Sequence, residues 1–177
     1  MPPMNAADLG LLVLRVIVGG VFAAHGAQKV FGWWGGPGMA GWTMAMGRMG
    51  LRPPRLWAMV SAGTELVGGL LFALGAVTPL VAPLLVAQSI VIIVRVHWPK
   101  GLWNKDGGYE FPLVLLGGSA AIVGTGPGGL SLDSAVGLAA TDTIRAALLV
   151  LALAGALLAI LLRPAPVVPA GTTASQP

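Results

Sequence analysis

The chain has 177 residues, 56% of them hydrophobic, and its ten Lys and Arg outnumber six Asp and Glu for a formal charge of +4. Soluble domains are about 25% charged, against 9% here with a mean hydropathy of +0.86, so the composition places the chain in a bilayer. The absence of cysteine excludes disulfide frameworks, thiol nucleophiles, Cys-ligated zinc, iron–sulfur clusters and dithiol relays. The cations are scattered beside apolar runs instead of clustered, which argues against nucleic acid as a partner.

A helix crossing the hydrocarbon core takes about 20 mostly apolar residues. The first such run, residues 8–31, contains Arg15, His25, Gln28 and Lys29. The second, 56–77, carries Glu65 as its single charge. The third, 79–96, has Gln88 inside and Arg95 near its end; the fourth, 110–124, is short and opens with Phe111-Pro112. The fifth, 141–162, is mainly Ala and Leu. Helices are expected, because lipid-exposed backbone must bond within its own segment, and the alternating pattern of a barrel strand is absent.

Cations between the runs alternate. The first connection carries Arg48, Arg52 and Arg55 and the third carries Lys100 and Lys105; the second and fourth carry none, and the tail opens with Arg163. The positive-inside rule then puts the N-terminus outside and the first connection, third connection and C-terminus in the cytoplasm. Arg145, at the outer start of the fifth run, is the one cation out of place. The leader before residue 8 has no Lys or Arg, unlike the n-region of a cleaved signal peptide. The Gly-rich stretch 124–130 lacks the Lys-Ser/Thr of a phosphate loop and reads as a turn, and the Pro- and Ala-rich tail 164–177 is expected to be disordered.

Ionisable groups within a bilayer are costly, about 2.5–3.5 kcal/mol at mid-membrane, which makes them the place to look for function. At 100° per residue, Lys29 lies about 40° and His25 about 80° from Arg15, with Gln28 about 60° beyond His25, so the four share one sector of the first helix. Glu65 is the deep carboxylate that could pair with Arg15, His25 or Lys29, either as a structural clasp or as part of a ligand or proton site. A second polar cluster, Arg95, His97, Asn104, Asp106, Tyr109 and Glu110, surrounds the turn into the fourth run. Its His97, Asp106 and Glu110 match no metal-ligand spacing, so no metal is expected. Trp33, Trp34 and Trp42 with Met39, Met44, Met46 and Met49 make the first connection amphipathic and suit it to the membrane face. No Gly-x-Ser-x-Gly elbow or plausible triad is present.

The ordered combination of Leu14-Arg15-Val16, His25-Gly26-Ala27-Gln28-Lys29-Val30-Phe31-Gly32, Glu65-Leu66-Val67-Gly68-Gly69 and Asn104-Lys105-Asp106-Gly107-Gly108-Tyr109-Glu110 resembles the DoxX family of small bacterial membrane proteins. The likeness spans residues 11–138. It implies an all-α, polytopic bundle in the bacterial plasma membrane, with a four-helix core over residues 8–138, to which residues 139–163 add a fifth helix before the tail 164–177. It also implies a link to sulfur or thiol redox metabolism, including quinone-coupled thiosulfate oxidation, and to oxidative-stress assemblies. Without cysteine, any redox role here needs a bound carrier such as quinone or a partner protein. The leading expectation is a membrane subunit of such an assembly, with Arg15, His25, Lys29 and Glu65 as the intramembrane site and the 104–110 turn at its mouth. The alternatives are a non-catalytic scaffold recruiting cytosolic enzymes through the first connection, and a small-solute or proton-coupled carrier. Whether the chain is itself an enzyme, and whether it forms oligomers, is open at this level.

Overall fold

The computed structural model describes residues 5–162, and the expected tail from Pro164 onward lies outside them. Seven helices follow in order, with no strand among the described residues: α1 (Ala6–Phe31), α2 (Gly38–Arg48), α3 (Pro54–Leu74), α4 (Thr78–Lys100), α5 (Glu110–Thr125), α6 (Leu132–Ala135) and α7 (Asp142–Leu161). Each long helix is started or stopped by local chemistry. Asn5 accepts the Asp8 amide at 2.9 Å to begin α1, and Gly32, in a left-handed conformation at φ 74°, ends it. Thr141 caps α7 in the same way by accepting the Ile144 amide.

By length and composition α1, α3, α4 and α7 can each cross a membrane. The 16 residues of α5 reach about 24 Å at 1.5 Å per residue, short of a hydrocarbon core about 30 Å thick. The chain is thus an all-α multi-pass bundle. α1 packs on α3, α3 on α4, α4 on α5 and α5 back on α1, around Val18, Phe22, Phe72, Leu85, Leu115 and Ile122. α7 stands outside this ring and packs along α4. Apolar side chains such as Val13, Ile17, Val67, Leu70, Val114 and Leu151 remain exposed, as lipid-facing residues should.

The α1–α3 contact sets the geometry of everything below. A Cβ on Gly19 would lie 2.5 Å from the Gly69 carbonyl oxygen, and one on Gly69 would lie 2.5 Å from the Ala23 amide nitrogen. A Cβ on Gly26 would collide with the Leu66 backbone. Small residues in these rows bring the two backbones together where lipid offers no hydrophobic drive between helices. The first connection does not simply lie along a surface. α2 turns Met46 inward against Leu51 and Ala58, with Met39, Trp42 and Met49 beside them, and leaves Trp33, Trp34 and Met44 exposed.

Candidate functional site

Two turns in the bundle are π-helical, and both carry ionisable residues: Thr64–Gly68 in α3, with Glu65, and Ile93–His97 in α4, with Arg95 and His97. One extra residue in the turn rotates the side chains that follow, and such turns recur at functional sites. In α3 this turn holds Glu65, only 1% exposed, facing the last turn of α1 where Lys29 sits. The Lys29 ammonium donates to both carboxylate oxygens of Glu65. It also stands 4.3 Å from the centroid of the Trp42 ring, an attractive arrangement for a desolvated cation.

A buried ion pair is sustained only when its remaining lone pairs find donors. Gln88, midway along α4, fills that need: its Nε2 donates to Glu65 Oε1 at 2.8 Å and to Ser61 Oγ at 2.9 Å. Helices α1, α3 and α4 are therefore joined through one polar chain, Lys29–Glu65–Gln88–Ser61. Gln88 and Ser61 also line a groove of about 300 Å³ between α2, α3, α4 and α7. Its walls are mostly apolar, with Trp42, Met46, Trp57, Leu84 and Val91 on one side and Leu151, Ala156 and Ala159 of α7 on the other, and Thr64 and Arg95 also line it. The Trp42 indole nitrogen, beside this groove, is buried without a hydrogen-bond partner.

The single polar sector expected on α1 divides by height. Arg15 does not approach Glu65. It is fully buried at the opposite end of α1, where it donates to the carbonyl oxygens of Leu130 and, at 3.4 Å, of Ala73. Residues 15 and 29 share a direction but stand about 21 Å apart along the axis at 1.5 Å per residue. His25 is exposed and turns to α5, its ring 5.6 Å from that of Phe111. Gln28 is half-buried and contributes its backbone carbonyl to the Gly32 cap. Of the five expected intramembrane residues, Lys29 and Glu65 form the ion pair, and the Gln28 side chain stands beside His25. Gln88 is the member that sequence reading passed over, although it is the polar group inside the third apolar run.

The second cluster folds into a compact turn whose groups satisfy one another. His97 Nδ1 lies 2.6 Å from the Gly107 carbonyl, Glu110 accepts the Asn104 amide at 2.9 Å, and Trp98 stacks on Tyr109 at 5.2 Å between centroids. Asp106 pairs with Lys105 at 3.1 Å, both exposed. Arg95 turns away and donates to the carbonyls of Ala159 and Leu162, closing the end of α7. Among the described residues no three of His, Asp and Glu gather closely enough to hold a metal ion.

A family model described as DoxX matches residues 10–98, a stretch that contains Lys29, Glu65 and Gln88. A curated relative from Bacillus subtilis (strain 168), CatD, is 35% identical over 126 residues, covering 71% of this chain and 86% of its own. The name of that relative describes it as a candidate oxidoreductase. No solved structure matches the chain.

Proposed function

Because the chain belongs to the DoxX family, we propose that it is the membrane subunit of a redox assembly, acting beside a lipid-soluble carrier of the quinone class. The observation that supports this reading most is the link from a buried ion pair to an apolar groove, made by Gln88. The name of the relative from Bacillus subtilis supports a redox role as well.

The residues present suit such a carrier. Its isoprenoid part is accommodated by Met46, Trp57, Leu84, Val91 and the α7 wall, while its carbonyl oxygens need donors. The unpartnered Trp42 N–H and Arg95 Nε–H, and the Ser61 hydroxyl, which accepts from Gln88, are donors among the residues that line that space. A quinone supplies two-electron, two-proton chemistry. The chain's part is to exclude water, hold the carrier's polar end and keep Glu65 paired at the head of the Gln88 link. The electrons come from a partner protein, since this chain has no redox-active side-chain pair. The reading extends to a bacterial plasma-membrane location with the N-terminus outside; a C-terminal reporter active only outside the cytoplasm would reverse that orientation.

Extraction of the chain purified in mild detergent tests the proposal. Near-stoichiometric isoprenoid quinone in the wild type, lost in Glu65→Gln and Gln88→Leu, is the expected result. Quinone at background in the wild type would overturn it. Exposed Arg48, Arg52 and Arg55 at the Trp42 end of the bundle favour the scaffold as a second reading. In that case charge reversal at the three arginines releases a cytosolic partner while Glu65→Gln does not.

A further inference from the structure

A second cavity, of about 400 Å³, lies at the other end of the bundle, where α4 begins and α5 ends. Pro79 and Pro83 of α4, Ile122 and Val123 of α5 and Leu138 give it apolar lining, and Thr78, Asp133, Ser134 and Arg145 add polar groups. Two features there have no role in the ion pair or the groove.

The first is Thr78. Its side chain is 2% exposed and lines the cavity, yet its hydroxyl is buried without a partner. A threonine that opens a helix usually caps it, but here that task is taken by Asp133, which accepts the Val77 and Thr78 amides at 2.6 and 2.8 Å. A buried hydroxyl left unbonded has lost its water without replacement, so a partner reaching it from the cavity would recover that loss.

The second is Arg145, the cation that breaks the alternation of charge along the chain. It is in the first turns of α7, where the helix dipole disfavours positive charge. One of its nitrogens is paired with Asp142, whose carboxylate is 93% exposed, while Nη1 lies over Gly126 at the cavity mouth. Asp133 does not cancel it. Both its oxygens are held by amides, and it flanks Gly75 together with the buried Arg15 guanidinium: the Asp133 amide donates to Gly75 O at 2.9 Å, and a Cβ on Gly75 would run into Arg15. Arg145 is the cation among the residues lining the cavity: Asp142 holds one of its nitrogens, while Nη1 stays over Gly126 beside the N-terminal end of α7.

We infer that this cavity binds one anionic phospholipid, its phosphate on Arg145 and the Thr78 hydroxyl and an acyl chain along Pro79, Pro83, Ile122 and Val123. A free anion would use the polar groups alone and leave the apolar lining bare. The site is independent of the quinone reading, being formed by other residues at the opposite end of α4.

Native mass spectrometry of the whole chain, released from micelles containing phosphatidylglycerol or phosphatidylcholine, tests the inference. The wild type should retain one tightly held phosphatidylglycerol in preference to phosphatidylcholine. Arg145→Gln should weaken that lipid about tenfold and Thr78→Val about threefold, the range expected for a charge-assisted and a neutral hydrogen bond. Because the Thr78 hydroxyl is otherwise unbonded, Thr78→Val should leave the lipid-free melting temperature unchanged or raised, which separates lost binding from lost folding. Arg145→Lys should restore part of the preference. Equal retention of the two lipids by the wild type, or undiminished phosphatidylglycerol in both variants, would overturn the inference. Displacement of the lipid by millimolar inorganic phosphate would overturn it as well, in favour of a free-anion site.

Discussion

Lys29 and Glu65, 36 positions apart in the chain, meet as a buried ion pair at the point where the last turn of α1 faces a π-turn of α3. Removing one partner strands the other as an uncompensated buried charge, a loss of about 3–5 kcal/mol, whereas replacing both by apolar residues is often near neutral. Lys29→Met should therefore lower the detergent melting temperature sharply, and Lys29→Met with Glu65→Leu should recover most of it. A double variant no more stable than the single one would show that the pair is not the unit of stability. A double variant that is stable yet retains no quinone would assign the pair to ligand binding and not to cohesion alone.

The backbone approach of α1 to α3 gives a sharp contrast between glycines of one helix. Gly19→Ala and Gly26→Ala each place a methyl group inside the α3 backbone and should destabilise by about 1–3 kcal/mol or prevent accumulation. Gly10→Ala meets nothing within 4 Å and should be neutral, or stabilising by up to about 1 kcal/mol through helix propensity. Equal melting temperatures for Gly10→Ala and Gly26→Ala would contradict the packing described for these helices.

Arg15 holds carbonyl groups from two separate segments, Ala73 at the end of α3 and Leu130 in the loop after α5. Arg15→Met leaves both without their donor. The expected consequence is faster amide hydrogen exchange in residues 126–137, with the Trp42 end unaffected. Uniform acceleration through the whole bundle would indicate instead that Arg15 supports the global fold.

Asp133 acts as a cap supplied from far along the chain, since it accepts amides 55 and 56 positions away at the start of α4. Asp133→Asn keeps one acceptor and should cost about 1 kcal/mol, and Asp133→Ala about 2 kcal/mol, read from thermal unfolding. If Asn behaves like the wild type, the carboxylate contributes nothing beyond the cap's shape; if Asn is as costly as Ala, the second oxygen and the charge carry the cap.

Much of this architecture is legible in the sequence, and the limits have physical causes. Five apolar runs fall within a few residues of the observed helices because hydrocarbon thickness fixes length and the backbone must bond internally. The pairing of Glu65 with a cation of α1 follows from its being the deep carboxylate. The choice of Lys29 over Arg15 does not follow from a helical projection, which keeps direction and discards height. His25 shows the same limit from the side: about 40° of rotation from Lys29 is enough to turn it from Glu65 to Phe111. Gln88 carries no charge, so a search for ionisable groups ranks it low, and only the packing of α4 against α3 shows what it touches. Trp42 reads as an interfacial aromatic until α2 folds back and lays its ring on Lys29.

The groove beside Gln88 has one wall from outside the stretch that defines the family. Residues 10–98 contain Lys29, Glu65 and Gln88, whereas Leu151, Ala152, Gly155, Ala156, Leu158 and Ala159 come from α7. That helix packs along α4 and is fastened at its far end by the Arg95 guanidinium. The polar chain and its enclosure are thus separable parts. A chain ending before Asp142 would keep the polar chain and open the groove sideways to the acyl phase, so the last helix sets how far the groove is closed off from the bilayer.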